Sequence, residues 1–222
     1  MERIQSAKFI SSGSLMILFF YVFLGIFSYG LRNTTIPGIY VFQLLYIPII
    51  IAFAGIGFAS HNLRFDSEEP WERGKTIALL LVTSLTILTL AQLSLITAGM
   101  DDGGNIIRPS FFYIGDVLMI MSCLAFTLSF FFLRKQLLTL YFKKIVVKYP
   151  NYLPIIAFTI QTFSYCLFFY ASFTSGDIQT IIDIVGIVIA AISILLLIGG
   201  LIPINISFRA YSHLVEDESL RN

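Results

Sequence analysis

Residues 178–202 read IQTIIDIVGIVIAAISILLLIGGLI, twenty-five positions with a single charge, Asp183. As a helix this stretch rises about 37 Å, more than the ~30 Å hydrocarbon core of a bilayer. A segment with so few charges has no face to offer water. It reads as a membrane-spanning helix, since lipid obliges the backbone to bond within its own segment. Barrel strands would show alternating runs of about ten residues instead.

Five further runs of this kind precede it, at roughly 11–31, 39–60, 76–99, 111–133 and 152–174. Four of the six contain no charged residue, the fourth only Asp116 and the sixth only Asp183. The chain as a whole is 57% hydrophobic and 12% charged, against about 25% charged in soluble proteins. Its mean hydropathy is +0.88. These runs predict an all-α fold: a polytopic integral membrane protein of the cell membrane, one six-helix bundle formed by residues 1–222. Span one is too long for the apolar core of a signal peptide and no Ala-x-Ala-like site follows it, so it reads as a retained anchor.

The basic residues set the orientation. Twelve of the fourteen Lys and Arg fall in the amino-terminal tail, the loops after spans two and four, and the tail from residue 203. The other three loops hold only Arg32 and Arg108. Cationic loops stay on the cytoplasmic side. Both termini are therefore expected there, in agreement with an even number of spans. Tyr29, Tyr40, Tyr113, Tyr152 and Tyr211 lie near the expected span ends, where amphipathic rings settle. The sequon Asn33-Thr34-Thr35 falls in an outer loop.

Loop 134–151 reads as a basic amphipathic helix. Leu137, Leu138, Tyr141, Ile145 and Val146 recur three or four apart, with charges between them. It either prolongs span four inward or lies on the inner leaflet. Arg134, Lys135, Lys143, Lys144 and Lys148 are its candidate contacts to anionic lipid headgroups, each worth about 1 kcal/mol. The plainer reading is a positive-inside loop with no dedicated lipid recognition. Loop 61–75 mixes acids and bases, and Pro70 is expected to block a continuous helix there, leaving a solvated turn or a docking surface for a cytoplasmic partner. Pro203 is expected to kink or end span six, and the acidic residues 216–218 to fray. Three spans, a basic loop and three more spans suit an inverted repeat, yet the halves share no matching residues.

Ionisable residues inside a membrane are functional hypotheses by default. Asp116 and Asp183 each lie about five residues inside the outer end of a span, roughly 7 Å deep. Gln43 and Gln92 reach a similar depth. Together they form a candidate outward-facing pocket for a cation, a proton or a polar solute. The same acids also suit a structural role, because the first turns of a helix favour a carboxylate. Gln161 and Thr162 are placed for bonds to another helix. Gly55 with Ala59, and Gly186 with Ala190, permit close helix approach.

Other chemistry is disfavoured. His61 and His213, the only histidines, lie at or beyond inner span edges, which leaves no ligand for haem or a histidine-held metal within the membrane. Cys123 and Cys166 read as packing residues. Gly74-Lys75-Thr76 ends like a phosphate loop, but Glu69 occupies the earlier glycine position. Residues 68–73 (EEPWER) resemble the Glu-Glu-x-x-x-Arg motif of CAAX-processing membrane proteases; the later histidine motifs of that family are missing. No cofactor, catalytic or nucleic-acid signature remains. The expected function is that of a non-catalytic sensor, accessory or scaffold subunit that docks a partner through cytoplasmic loops. A small transporter or channel subunit is second, and a lipid-active enzyme third.

Overall fold

The computed structural model describes Lys8, Ser12 and residues 69–99, 107–142 and 149–221. Span one apart from Ser12, span two, the sequon, Gln43 and residues 143–148 lie outside the described residues. What is described is all-helical: α1 Glu69–Ala98, α2 Pro109–Phe142, α3 Leu153–Ala171 and α4 Asp177–Arg221. Among the described residues three stretches are long and apolar enough to cross a membrane, Pro109–Thr139, Leu153–Ala171 and Asp177–Ser207. α1 contributes a shorter apolar stretch, Leu79–Leu95.

Each helix packs on the next in the chain, α1 on α2, α2 on α3 and α3 on α4. Serine, glycine and alanine line the helix seams beside buried Leu81, Leu85, Phe126, Phe130, Phe158 and Leu201, while many other large apolar side chains point outward; Leu79 and Leu195 are each 68% exposed. Lipid is as apolar as leucine, so a large side chain loses nothing by turning outward. Close backbone approach and interhelical hydrogen bonds hold such helices together instead.

Those seams have a seven-residue spacing. In α1 the fully buried positions include Ile77, Ser84, Ala91 and Ala98. On α2 Gly115, Ser122, Ser129 and Gln136 are buried at the same spacing. Ser122 Oγ donates to the Ser84 carbonyl at 3.0 Å, and the Ser84 and Ser129 hydroxyls lie 3.5 Å apart. The second hairpin repeats the plan. Ala157, Ser164 and Ala171 are buried on α3, and Gly186, Ser193, Gly200 and Ser207 on α4. Here Ser193 Oγ donates to the Ala157 carbonyl and Ser164 Oγ to the Gly186 carbonyl, both at 2.8 Å. The α4 stripe lies 71 residues after its α2 counterpart at every position. Among the described residues the unit that recurs is therefore a two-helix hairpin. A seven-residue repeat keeps one face of each helix in contact along its length.

Aromatic rings join the two hairpins. Phe126 and Phe130 of α2 stack on Phe158 of α3, with centroids 5.0 and 5.3 Å apart. Nearer the other end Tyr113 stacks on Phe173 at 5.1 Å and meets Phe169 edge-on. Offset ring pairs of this kind contribute about 0.5–1.5 kcal/mol beyond area burial.

Three boundaries differ from the sequence expectation. α1 is described from Glu69, so residues 69–75 are helical and not a solvated turn, while 61–68 lie outside the described residues. α2 continues nine residues past the expected end of span four, to Phe142, which selects the prolonged-helix reading of loop 134–151 for its first half. α4 runs through Pro203 to Arg221. The ring of Pro203 crowds the carbonyl four residues earlier, and that residue is Gly199, whose neighbour Gly200 also lacks a Cβ. The backbone there has room to adjust.

Candidate functional site

Two polar groups lie at opposite ends of the hairpins. The first surrounds Asp116, in the second turn of α2. Gly115 beside it approaches α1 so closely that a Cβ there would meet Leu95 at 2.7 Å and the Ala91 carbonyl at 3.3 Å. This contact brings Gln92 to the level of Asp116, and the Gln92 amide donates to Met119 Sδ at 3.5 Å, one turn further along α2. Asp116 is 8% exposed. Its Oδ2 is buried with no hydrogen-bond partner among the described residues. A carboxyl so placed calls for a proton, a cation or a donor from elsewhere.

Asp183 is half-buried on α4. α4 packs on α3 and not on α2, so the structure does not bring Asp183 and Asp116 together. The expected four-residue pocket thus divides. Gln92 and Asp116 share the α1–α2 seam, Asp183 stands apart, and Gln43 lies outside the described residues.

The second group occupies the Arg134 end. Sequence spacing treats Arg134 and Lys135 alike, but the helix turns them to opposite fates. Lys135 is exposed, with Nζ 4.7 Å above the Phe131 ring. Arg134 is 8% exposed. Its guanidinium lies 3.4 Å from the centre of the Tyr152 ring, and Nη2 reaches the Tyr149 hydroxyl at 3.4 Å. Its Nε has no partner among the described residues. Both tyrosines come from the turn into α3, where the Asn151 carboxamide oxygen accepts from the Leu153 N–H and Pro154 fills the first turn. Cation–π contact with two rings offsets part of the desolvation of this guanidinium. The other headgroup candidates, Lys143, Lys144 and Lys148, lie outside the described residues.

Arg134 also lines a cleft of about 410 Å³, counting its open mouth, where α2, α3 and α4 converge. Phe130, Leu133, Pro154 and Ile204 make its walls apolar; Asn151 and Ser207 are its other polar lining residues. No protein-family model, curated protein or solved structure matches this chain. The chemistry of the cleft has to be read from its own side chains. Sequence reasoning missed it, although one signal was present: two tyrosines and two prolines close behind a basic helix end.

Gln136, one heptad beyond Ser129, is 3% exposed, and both its amide atoms lack partners among the described residues. Cys123 is buried and Cys166 exposed, both free thiols.

Proposed function

We propose that this chain is a non-catalytic, six-span integral protein of the cell membrane with both termini in the cytoplasm. It serves as a sensor, accessory or scaffold subunit and docks a protein partner through its cytoplasmic segments. The observation that carries this reading is the length of the helices that leave the apolar stretch at the Arg134 end. α4 spans 45 residues, about 68 Å, and α2 spans 34, about 51 Å, against ~30 Å of hydrocarbon. Both overshoot at the end that the positive-inside rule assigns to the cytoplasm. A continuous helix carries displacement or rotation out of the bilayer, as a sensor or scaffold requires.

The test combines topology with partner isolation. Single cysteines at residues 107 and 209, in a background with Cys123 and Cys166 replaced by serine, are expected to label from the outside and from the cytosol respectively. Purification in mild detergent is expected to recover a stoichiometric partner. Inserting Gly-Gly after Ala210, which breaks the α4 extension, is expected to release that partner while the protein still inserts. Reversed labelling, or a partner indifferent to the insertion, rules the reading out.

The buried, unpartnered carboxyl of Asp116 favours a second reading, a small transporter or channel subunit that takes a cation, proton or polar solute. On that reading a panel of ions and solutes raises the melting temperature of the purified protein. Asp116→Asn combined with Asp183→Asn then abolishes the shift and leaves folding intact. A melting temperature indifferent to the whole panel dismisses it.

A further inference from the structure

The Arg134 cleft combines two features that together specify a ligand. Arg134 is more than nine-tenths buried, and no acidic side chain is among the cleft's lining residues. A desolvated cation calls for an opposite charge. The guanidinium offers five N–H donors in a planar fork suited to phosphate, and Nε stands unpartnered among the described residues. The walls beside it are apolar, from Phe130, Leu133, Pro154 and Ile204. Arg134 stands one residue beyond the expected end of span four, at the depth where hydrocarbon gives way to headgroups. A free anion would satisfy the guanidinium and leave the apolar walls unused.

We propose that this cleft binds one anionic phospholipid, its phosphate on Arg134 and an acyl segment along the apolar walls. Only the assignment to the cytoplasmic leaflet rests on the topology proposed above. Binding in detergent requires neither that topology nor a protein partner, so either proposal can fail while the other stands.

The experiment uses the full chain purified in neutral detergent, with melting temperature and retained lipid by native mass spectrometry as readouts. Dioleoyl-phosphatidylglycerol is expected to raise the melting temperature and to be retained at one copy per chain. Dioleoyl-phosphatidylcholine and inorganic phosphate are expected to do neither. Arg134→Gln weakens the phosphatidylglycerol response by about tenfold or more. Ile204→Trp, which fills the cleft and keeps the charge, abolishes it, and Lys135→Gln leaves it unchanged. Should Arg134→Gln fail to fold, the lipid comparison on the unaltered chain and Ile204→Trp decide. Equal responses to the two lipids, a full response to phosphate alone, or persistence of the response in Ile204→Trp overturns the proposal.

Discussion

Gly200→Ala destabilises the protein, whereas Gly199→Ala, one residue away, stabilises it. In a free helix both changes are favourable, since alanine exceeds glycine in helix propensity by about 1 kcal/mol. The two sites differ in what the new methyl group meets. At Gly199 the nearest atom is Leu153 Cδ1 at 3.4 Å, an ordinary contact. At Gly200 the methyl falls on the ring of Pro154 and within 2.8 Å of its backbone nitrogen. Neither the proline ring nor the backbone of a first turn can move aside without parting α3 from α4. Overpacking of this kind costs about 1–3 kcal/mol. Melting of the two variants in one detergent reads the difference, with opposite signs expected. Equal stabilisation would mean that the helices do not approach as closely as described.

Gln136→Leu raises stability. Both amide atoms of Gln136 are buried without partners among the described residues, and each such group carries a desolvation penalty of about 1–3 kcal/mol. Leucine has similar reach and no polar atom to strand. Ser122→Ala makes the contrast, because it removes a satisfied bond to the Ser84 carbonyl and lowers stability by about 0.6 kcal/mol, the average for interhelical bonds in a membrane. Thermal or denaturant unfolding in detergent compares the pair. A Gln136→Leu variant less stable than the parent would reveal an amide partner elsewhere in the chain.

The helices themselves are legible in the sequence. The expected spans at 111–133 and 152–174 coincide closely with the apolar parts of α2 and α3, because absence of charge over twenty residues is a property of each residue taken alone. The main difference lies beyond Pro203, where α4 continues to Arg221 and does not end. The seams were legible only in part. Gly186 was singled out with Ala190, at a spacing of four, whereas the buried stripe continues at seven to Ser193, Gly200 and Ser207. Serine every seventh residue looks unremarkable until a facing carbonyl is known.

The candidate site was less legible still. Asp116 and Gln92 were chosen for their depth and do share a seam. Asp183 reaches the same depth but stands on α4, whose described residues pack on α3 and make no close backbone contact with α2. Depth along a span follows from counting residues; azimuth around it does not. The same limit separated Arg134 from Lys135, adjacent in sequence and about 100° apart around the helix.

The bare chain thus determined that its helices are long and apolar, since transfer from water to lipid is a sum over individual side chains. Only the folded arrangement decided which faces meet, which buried polar groups are satisfied, and that Arg134 turns inward against two tyrosines. Those outcomes depend on pairs of residues brought together from separate helices, and no single helix encodes its partner.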